Sequence, residues 1–326
     1  MIVITGATGH LGNVLVRKLV SMNKKVRAVV LPGEDVASLE GLEVEKVEGD
    51  VRLPDSLRKA FEGADIVYHC AGIISILPGQ QKQLYQVNVL GTRNVVNLCL
   101  ELKIKRLVYT SSIHALSEPA PGIVFDESRE FNPENVLGEY SKSKTLGTLE
   151  VLGGIEKGLD AVILCPSGII GPYDYRVSEM GKLIVDFAKG KVKASVSGAY
   201  DFVDVRDVAE GLILAYEKGK KGEYYILSGQ QISVGQLLEF LGEINGIKAP
   251  WLKIPKQVAR AAGFFNALYC NLMKLKPLFT PFSIDVLASN SLVSCQKARD
   301  ELGYSPRSIY ESIKDAVRWF KQEGII

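Results

Sequence analysis

Six short runs of β-branched and aliphatic residues recur along the first half of the chain: Ile2 to Ile4, Val26 to Val30, Val44 to Val47, Asp65 to Cys70, Arg106 to Thr110 and Asp160 to Leu164. Segments with helical spacing separate them, at Leu11 to Met22, Leu57 to Phe61, Tyr85 to Leu102 and Glu139 to Glu156. This alternation leaves few options. Each helix has to cross right-handed from one parallel strand to the next and bury its apolar stripe against the sheet. The expected fold class is α/β, a doubly wound parallel sheet, in which ligands gather at the carboxyl ends of the strands beside the reversal of strand order.

After Pro166 the rhythm breaks. Gly171-Pro172, a Gly/Lys/Ser-rich stretch from Lys189 to Gly198, and prolines at 250, 255, 277, 281 and 306 mark a different region. Residues 1–165 are therefore expected to form the sheet domain and 166–326 a smaller mixed α/β substrate-binding lobe. The boundary is interleaved, because Tyr224 to Leu227 looks like a strand that returns to the main sheet. With 326 residues and 47% hydrophobic content the chain can bury a large core. Its 39 basic and 37 acidic residues nearly cancel, which argues against nucleic acid as a partner. Five cysteines without Cys-x-x-Cys spacing and three histidines suggest reduced core thiols, no disulfide framework and no metal site. Met1 runs straight into the first strand with no basic leader or cleavage site, so a cytoplasmic protein is expected. No run approaches the roughly 18 uninterrupted apolar residues of a membrane span, although Ala261 to Leu278 is rich in Phe, Leu and Met and is read as pocket lining.

Thr5-Gly6-Ala7-Thr8-Gly9-His10-Leu11-Gly12 joins the first strand to the first helix. Glycines there let the backbone approach a pyrophosphate whose charge faces the helix amino terminus. Gly6, Thr8, Gly9, His10, Leu11 and Gly12 are accordingly assigned to a dinucleotide, with His10 a loop residue and not a catalytic one. The blander reading is a tight turn of small residues. At the end of the second strand, a carboxylate would grip the ribose 2'-hydroxyl of NAD, whereas an arginine would accept the 2'-phosphate of NADP. Val30 and Leu31 are neither, and Arg27 is the candidate cation. This favours NADP and leaves NAD open. Asp50, in Gly49-Asp50-Val51, can accept from the adenine amino group while Val51 packs on the ring, or Asp50 can instead cap a helix. Ala71 and Gly72 allow close approach of a cofactor ribose, or merely begin a turn.

Thr110-Ser111-Ser112 ends the fifth strand, where a hydroxyl can hydrogen-bond to a substrate oxygen; Ser112 is preferred to Ser111. Tyr140 and Lys144 lie one helical turn apart on one face. A phenol ionises near pKa ~10, and an adjacent ammonium pulls that value down. Alone, Tyr140 would read as a half-buried helix anchor. Behind a phosphate-binding turn and a Ser-Ser strand end, it reads as a proton-transfer group.

Taken together, Thr5 to Gly12, Gly49 to Val51, His69 to Gly72, Val87 to Asn94, Tyr109 to Ser112 and Tyr140 to Lys144 resemble the extended short-chain dehydrogenase/reductase family, with a Rossmann-type sheet. Cys165 to Pro172, Phe202 to Ala209 and Lys297 to Pro306 extend the resemblance over nearly the whole chain. Within the family the chain looks most like the dihydroflavonol reductase and 3β-hydroxysteroid dehydrogenase-like branch of the NAD-dependent epimerase/dehydratase proteins. The resemblance implies that Ser112, Tyr140 and Lys144 are the catalytic trio. It implies that Pro166 and Ser167 lie near the nicotinamide carboxamide, Thr110 beside the cofactor and Asn88 in support, and that the chain forms a homodimer through the helices around Val87 to Leu102 and Tyr140 to Glu156. Two positions depart from relatives: Leu31 stands where an arginine is common, and Cys165 where relatives often have arginine. Relatives acting on nucleotide sugars often carry asparagine at the place of Gly168. Its absence, with the apolar stretch after Gly263, favours an apolar ketone or secondary alcohol. The alternatives are a sugar-nucleotide epimerase or dehydratase, and a non-catalytic redox sensor that binds dinucleotide but needs no intact trio.

Overall fold

The computed structural model describes residues 1–75, 79–120, 122–255, 257–258 and 291–326. Its centre is a seven-stranded, all-parallel sheet in the order β10-β6-β5-β4-β1-β2-β3. The strands are β1 (Ile2–Thr5), β2 (Val26–Val30), β3 (Glu45–Glu48), β4 (Ile66–His69), β5 (Arg106–Thr110), β6 (Ala161–Pro166) and β10 (Tyr224–Leu227). Central strands are apolar on both faces because helices cover both, and Val3 and Ile4 are each fully buried, one toward either side. One face carries α1 (His10–Ser21) and α7 (Val205–Lys218); the other carries α2 (Pro54–Phe61), α4 (Thr92–Glu101) and α5 (Gly138–Glu156). Strand order reverses between β1 and β4, which places the glycine turn against the residues that follow β4.

A short helix α3 (Gln81–Leu84) runs into a wide π-type segment, Tyr85–Gly91, before α4 begins. Such widened turns are rare and collect at functional sites. Two glycines let neighbouring elements close on it. A Cβ at Gly91 would come 2.7 Å from Val51 Cγ2, and one at Gly147 of α5 would run into the carbonyl of Asn88.

The remaining strands are β7 (Gly168–Ile170), β8 (Ser195–Val196), β9 (Ala199–Asp204), β11 (Gln230–Ser233) and β12 (Lys253–Ile254). They form a three-stranded sheet, β11-β9-β7, and the pair β12-β8. With α6 (Glu179–Ala188), α8 (Val234–Asn245) and α10 (Ile309–Gln322) they enclose a separate apolar cluster that includes Phe202, Leu241, Ile313 and Phe320. A further helix, α9 (Gln296–Leu302), packs on the main-sheet cluster. The apolar stretch Ala261 to Leu278 and Cys270 lie outside the described residues. The four described cysteines are free thiols, with Cys99, Cys165 and Cys295 buried. Among the described residues no helix is long and apolar enough to cross a membrane, and no group of three metal-ligating side chains occurs.

Candidate active site

The glycine turn is built for a backbone-hugging anion. Gly6 has φ of +70°, and a Cβ there would sit 2.6 Å from the amide nitrogen of Ala71. A Cβ on Gly12 would run into the Gly6 carbonyl oxygen and come within 2.8 Å of its carbon. α1 starts at the N-cap Gly9 with neither a side-chain cap nor an acidic residue in its first turn. Its leading N–H groups and positive dipole end are thus uncompensated, which suits a diphosphate. The residues present fit a dinucleotide. At the far end of the crevice Ser167 lies buried just past β6, its hydroxyl beside the carboxylate of Asp201. Pro166 ends β6 opposite Leu227 of β10, and Ser167 N donates to the Leu227 carbonyl at 3.1 Å.

The structure brings Ser112, Tyr140 and Lys144 together. Ser112 Oγ accepts from His114 N at 3.2 Å, leaving its own O–H to donate, whereas Ser111 Oγ is tied up with Thr148 Oγ1 at 2.7 Å. Lys144, buried, donates from Nζ to the Thr110 carbonyl at 2.7 Å and lies 4.9 Å from the Tyr109 ring centre. A Cβ on Gly72 would come within 3.9 Å of that ammonium and 3.3 Å of Asn88 Oδ1, so Gly72 opens the crevice over both. Burial raises the pKa of the Tyr140 phenol, and Lys144 and the Ser112 hydroxyl pull against it without fully offsetting it. The downward shift expected from Lys144 alone is therefore corrected: the phenol keeps its proton above its ordinary range. Burial likewise lowers Lys144, opposed by Tyr140.

Asn88 sits in the π-type segment and ties it to α5. Its Oδ1 accepts from Ile73 N at 2.9 Å, and its Nδ2 donates to Ser143 Oγ at 3.0 Å; Ser143 Oγ in turn donates to the Tyr140 carbonyl at 2.7 Å. Behind Asn88 lies His69, whose role sequence reasoning missed. Thr92 Oγ1 donates to the Asn88 carbonyl, so it must accept from His69 Nε2 at 3.0 Å; His69 Nδ1 then accepts from Thr5 Oγ1 at 2.7 Å. One hydrogen-bonded line runs from the strand before the glycine turn to the backbone of Tyr140.

His114 was also missed, although it stands only two residues past Ser112. Its Nε2 bonds Tyr200 Oη at 2.6 Å, its ring stacks on Tyr200 at 5.9 Å between centroids, and Tyr140 meets it edge-on at 6.5 Å. Burial lowers His69 to about 3 and His114 to about 4, from 6.5. Below pH ~6.5 the unfolded chain therefore takes up protons that the folded chain refuses, so this stability is complete above that pH and is lost as pH falls. Each histidine should cost about 2 kcal/mol between about pH 7.5 and 5. Urea unfolding at the two pH values should show the drop, and His114→Gln should remove its share; an unchanged drop in that variant would refute the neutral, buried state of His114.

Other sequence assignments fare differently. Asp50 is the acceptor of Arg52 N and Nε, at 2.9 and 3.0 Å, and hydrogen bonding by Arg52 lowers its pKa. It caps no helix, since the N-cap of α2 is Leu53. Val51 is buried beside Gly91, with its carbonyl accepting from Asn94 Nδ2 at 2.8 Å. Ala71 N donates to Thr5 Oγ1 at 3.3 Å. Thr110 Oγ1 contacts Cys70 Sγ at 3.4 Å. Leu11 is buried in α1, and His10 Nε2 bonds the Pro172 carbonyl at 2.9 Å, joining the turn to the second lobe. Arg27 has to be corrected as the cation for a 2'-phosphate. It pairs in register with Val3 and Glu45, near the amino-terminal end of β2, and donates to the carbonyls of Ala60 and Glu62 at 2.8 Å each. The carboxyl end of β2 is three residues away, about 10 Å of strand.

Residues 2–228 match the family model described as the NAD dependent epimerase/dehydratase family. The chain belongs to this family. This epimerase/dehydratase-family protein is 38% identical over 325 residues to sterol demethylase protein B of Methylococcus capsulatus, covering 99% of each. It is 30% identical to 3beta-hydroxysteroid-dehydrogenase/decarboxylase isoform 1 of Arabidopsis thaliana, over 98% of this chain and 79% of that one. Among solved structures, that of gox2253 superposes with a TM-score of 0.88 at 33% identity, covering 100% of this chain and 99% of that one. The family member is thus an extended short-chain dehydrogenase/reductase and an NAD(P)-dependent oxidoreductase.

Proposed function

We propose that this enzyme interconverts a secondary alcohol and its ketone on an apolar, polycyclic molecule of the sterol type. The observation that carries this reading is the wall beside Tyr140. A Cβ on Gly168 would meet Tyr200 Cε1 at 2.5 Å and Phe202 Cδ1 at 3.0 Å, so two aromatic rings fill the place where a polar side chain would reach a sugar-nucleotide phosphate. Tyr200 packs edge-on against Phe202 at 5.3 Å. Burial raises the Tyr200 phenol far above its ordinary range, so this surface carries no charge. Aromatic faces reward flat hydrocarbon substrates and offer nothing to a doubly charged diphosphate. The relatives named for sterol and hydroxysteroid chemistry support the same class.

A bound nicotinamide supplies or accepts the hydride. The chain does the rest. Tyr140 holds the proton at Oη that passes to or from the substrate oxygen, Ser112 donates to that oxygen, and Lys144 holds positive charge beside the phenol. Gly6 to Gly12 bind the diphosphate, and Ser167 Oγ meets the carboxamide. In this reading residues 1–165 bind the cofactor and 166–326 the substrate, and two copies pair through α4 and α5. The enzyme would act in the cytoplasm.

The test is a substrate panel. With oxidised dinucleotide and cyclic secondary alcohols, including 3-hydroxysteroids, reduced nicotinamide should accumulate. No change should follow from UDP-glucose. Epimerisation of the nucleotide sugar without net nicotinamide reduction would overturn the proposal in favour of the epimerase reading.

A further inference from the structure

The corner where the adenosine ribose belongs, between the glycine turn and the carboxyl end of β2, holds two opposite charges that no sequence pattern at β2 announces. Val30 and Leu31 bring no acid. Glu34 does: its Oε2 accepts from Leu31 N at 3.0 Å, folding the carboxylate back onto the strand end. Arg176 arrives from the second lobe, 142 residues later in the chain. Its Nη2 donates to Thr8 Oγ1 in the glycine turn at 2.8 Å and is also ion-paired to Glu34 Oε1. The Glu34 side chain is 13% exposed and that of Arg176 54%, so the carboxylate is largely covered while the guanidinium reaches solvent.

Other charges here are already committed. Arg17 donates to the Ser38 carbonyl and to Tyr175 Oη, both at 2.9 Å, with the Tyr173 ring 4.8 Å away. Asp35 caps Ala37 N at 2.9 Å. Arg176 is the cation best placed for a phosphate on the ribose, and Glu34 engages it.

We infer that the Glu34–Arg176 pair selects the dinucleotide, admitting NAD and turning away NADP. Glu34 accepts from a ribose 2'-hydroxyl while retaining Arg176. A 2'-phosphate carries close to two negative charges; it would be held against the carboxylate and would have to pull Arg176 from it. The expectation of NADP drawn from Val30 and Leu31 considered only the strand; the acid stands three residues beyond it. The Arg176 to Thr8 bond also makes this corner a joint between the lobes, together with His10 to the Pro172 carbonyl and Asn13 Nδ2 to the Tyr173 carbonyl at 3.1 Å.

The inference rests on the reading that the glycine turn binds a nicotinamide dinucleotide, and the test separates the two. Dissociation constants for NADH and NADPH are measured by nicotinamide fluorescence on the wild type, Glu34→Gln, Arg176→Met and the double variant, with melting temperatures confirming that each is folded. Glutamine keeps the size and the acceptor and removes only the charge. The wild type should bind NADH at least about tenfold tighter than NADPH. Glu34→Gln should tighten NADPH about tenfold with NADH changed less than about threefold, and adding Arg176→Met should abolish that gain. A wild type that prefers NADPH overturns the inference, as does an unchanged ratio in Glu34→Gln or a gain that survives loss of Arg176. If folded wild type binds neither dinucleotide, the cofactor reading itself fails and this one with it.

Discussion

Tyr140→Phe should lower kcat by about a thousandfold, within the 10² to 10⁴ typical of a lost general acid or base, while the dissociation constant for the dinucleotide stays within about threefold. The substitution removes one oxygen from a half-buried ring at the start of α5 and leaves Asn88, Ser143 and the backbone bonds around it in place. Thermal melting should therefore hardly move. The glycine turn, proposed to hold the diphosphate, lies on a different element. Stopped-flow binding and steady-state turnover on one preparation separate the two effects. Turnover at the wild-type level would move proton transfer to another group, and His114, edge-on to Tyr140, or Tyr200, stacked on His114, would be the residues to test next.

Gly12→Ala should weaken dinucleotide binding at least about a hundredfold and cost about 1–3 kcal/mol of stability. The reason is spatial and not conformational. Gly12 lies within α1 and is absent from the positive-φ glycines, so alanine's backbone preferences are met there. The added carbon instead collides with the carbonyl of Gly6, and backbone cannot swing aside as a flexible side chain would. The turn has to open, and the N–H groups aimed at the diphosphate are displaced. Gly153→Ala is the control: in α5 a Cβ there meets nothing within 4 Å, so that variant should bind normally and melt no lower. Equal binding by Gly12→Ala would mean that the diphosphate does not sit on this turn.

The main sheet was legible because its inner strands are buried on both faces and so appear as near-continuous apolar runs, whereas the edge strand β3, Glu-Lys-Val-Glu, is largely exposed. Tyr140 and Lys144 were legible because a helix converts a spacing of four into a shared face. Features built across the chain were not. Glu34 and Arg176 are separated by 142 residues and meet only because the segment after β7 lies over the glycine turn. Tyr200 gains its meaning from a missing side chain at Gly168, a vacancy that sequence presents as mere absence of asparagine. Arg27 misled because a strand fixes which end of the sheet a residue occupies, and its charge alone suggested the wrong end. For Tyr140, burial competes with the neighbouring ammonium, and the extent of burial cannot be counted from spacing.

β10 reaches the main sheet only after the chain has travelled through β7 and β9, and it lies parallel along the open flank of β6. A ribosome must therefore release some 227 residues before the last strand can dock. Until then β6 presents bare peptide groups along one side, a template for a neighbouring nascent chain. A fragment cut at residue 165 would keep that hazard permanently, and would also lack α7, which covers Val162 and Leu164. Exchanging the second lobe between relatives consequently calls for two splices, one on either side of the excursion, with β10 retained by the recipient.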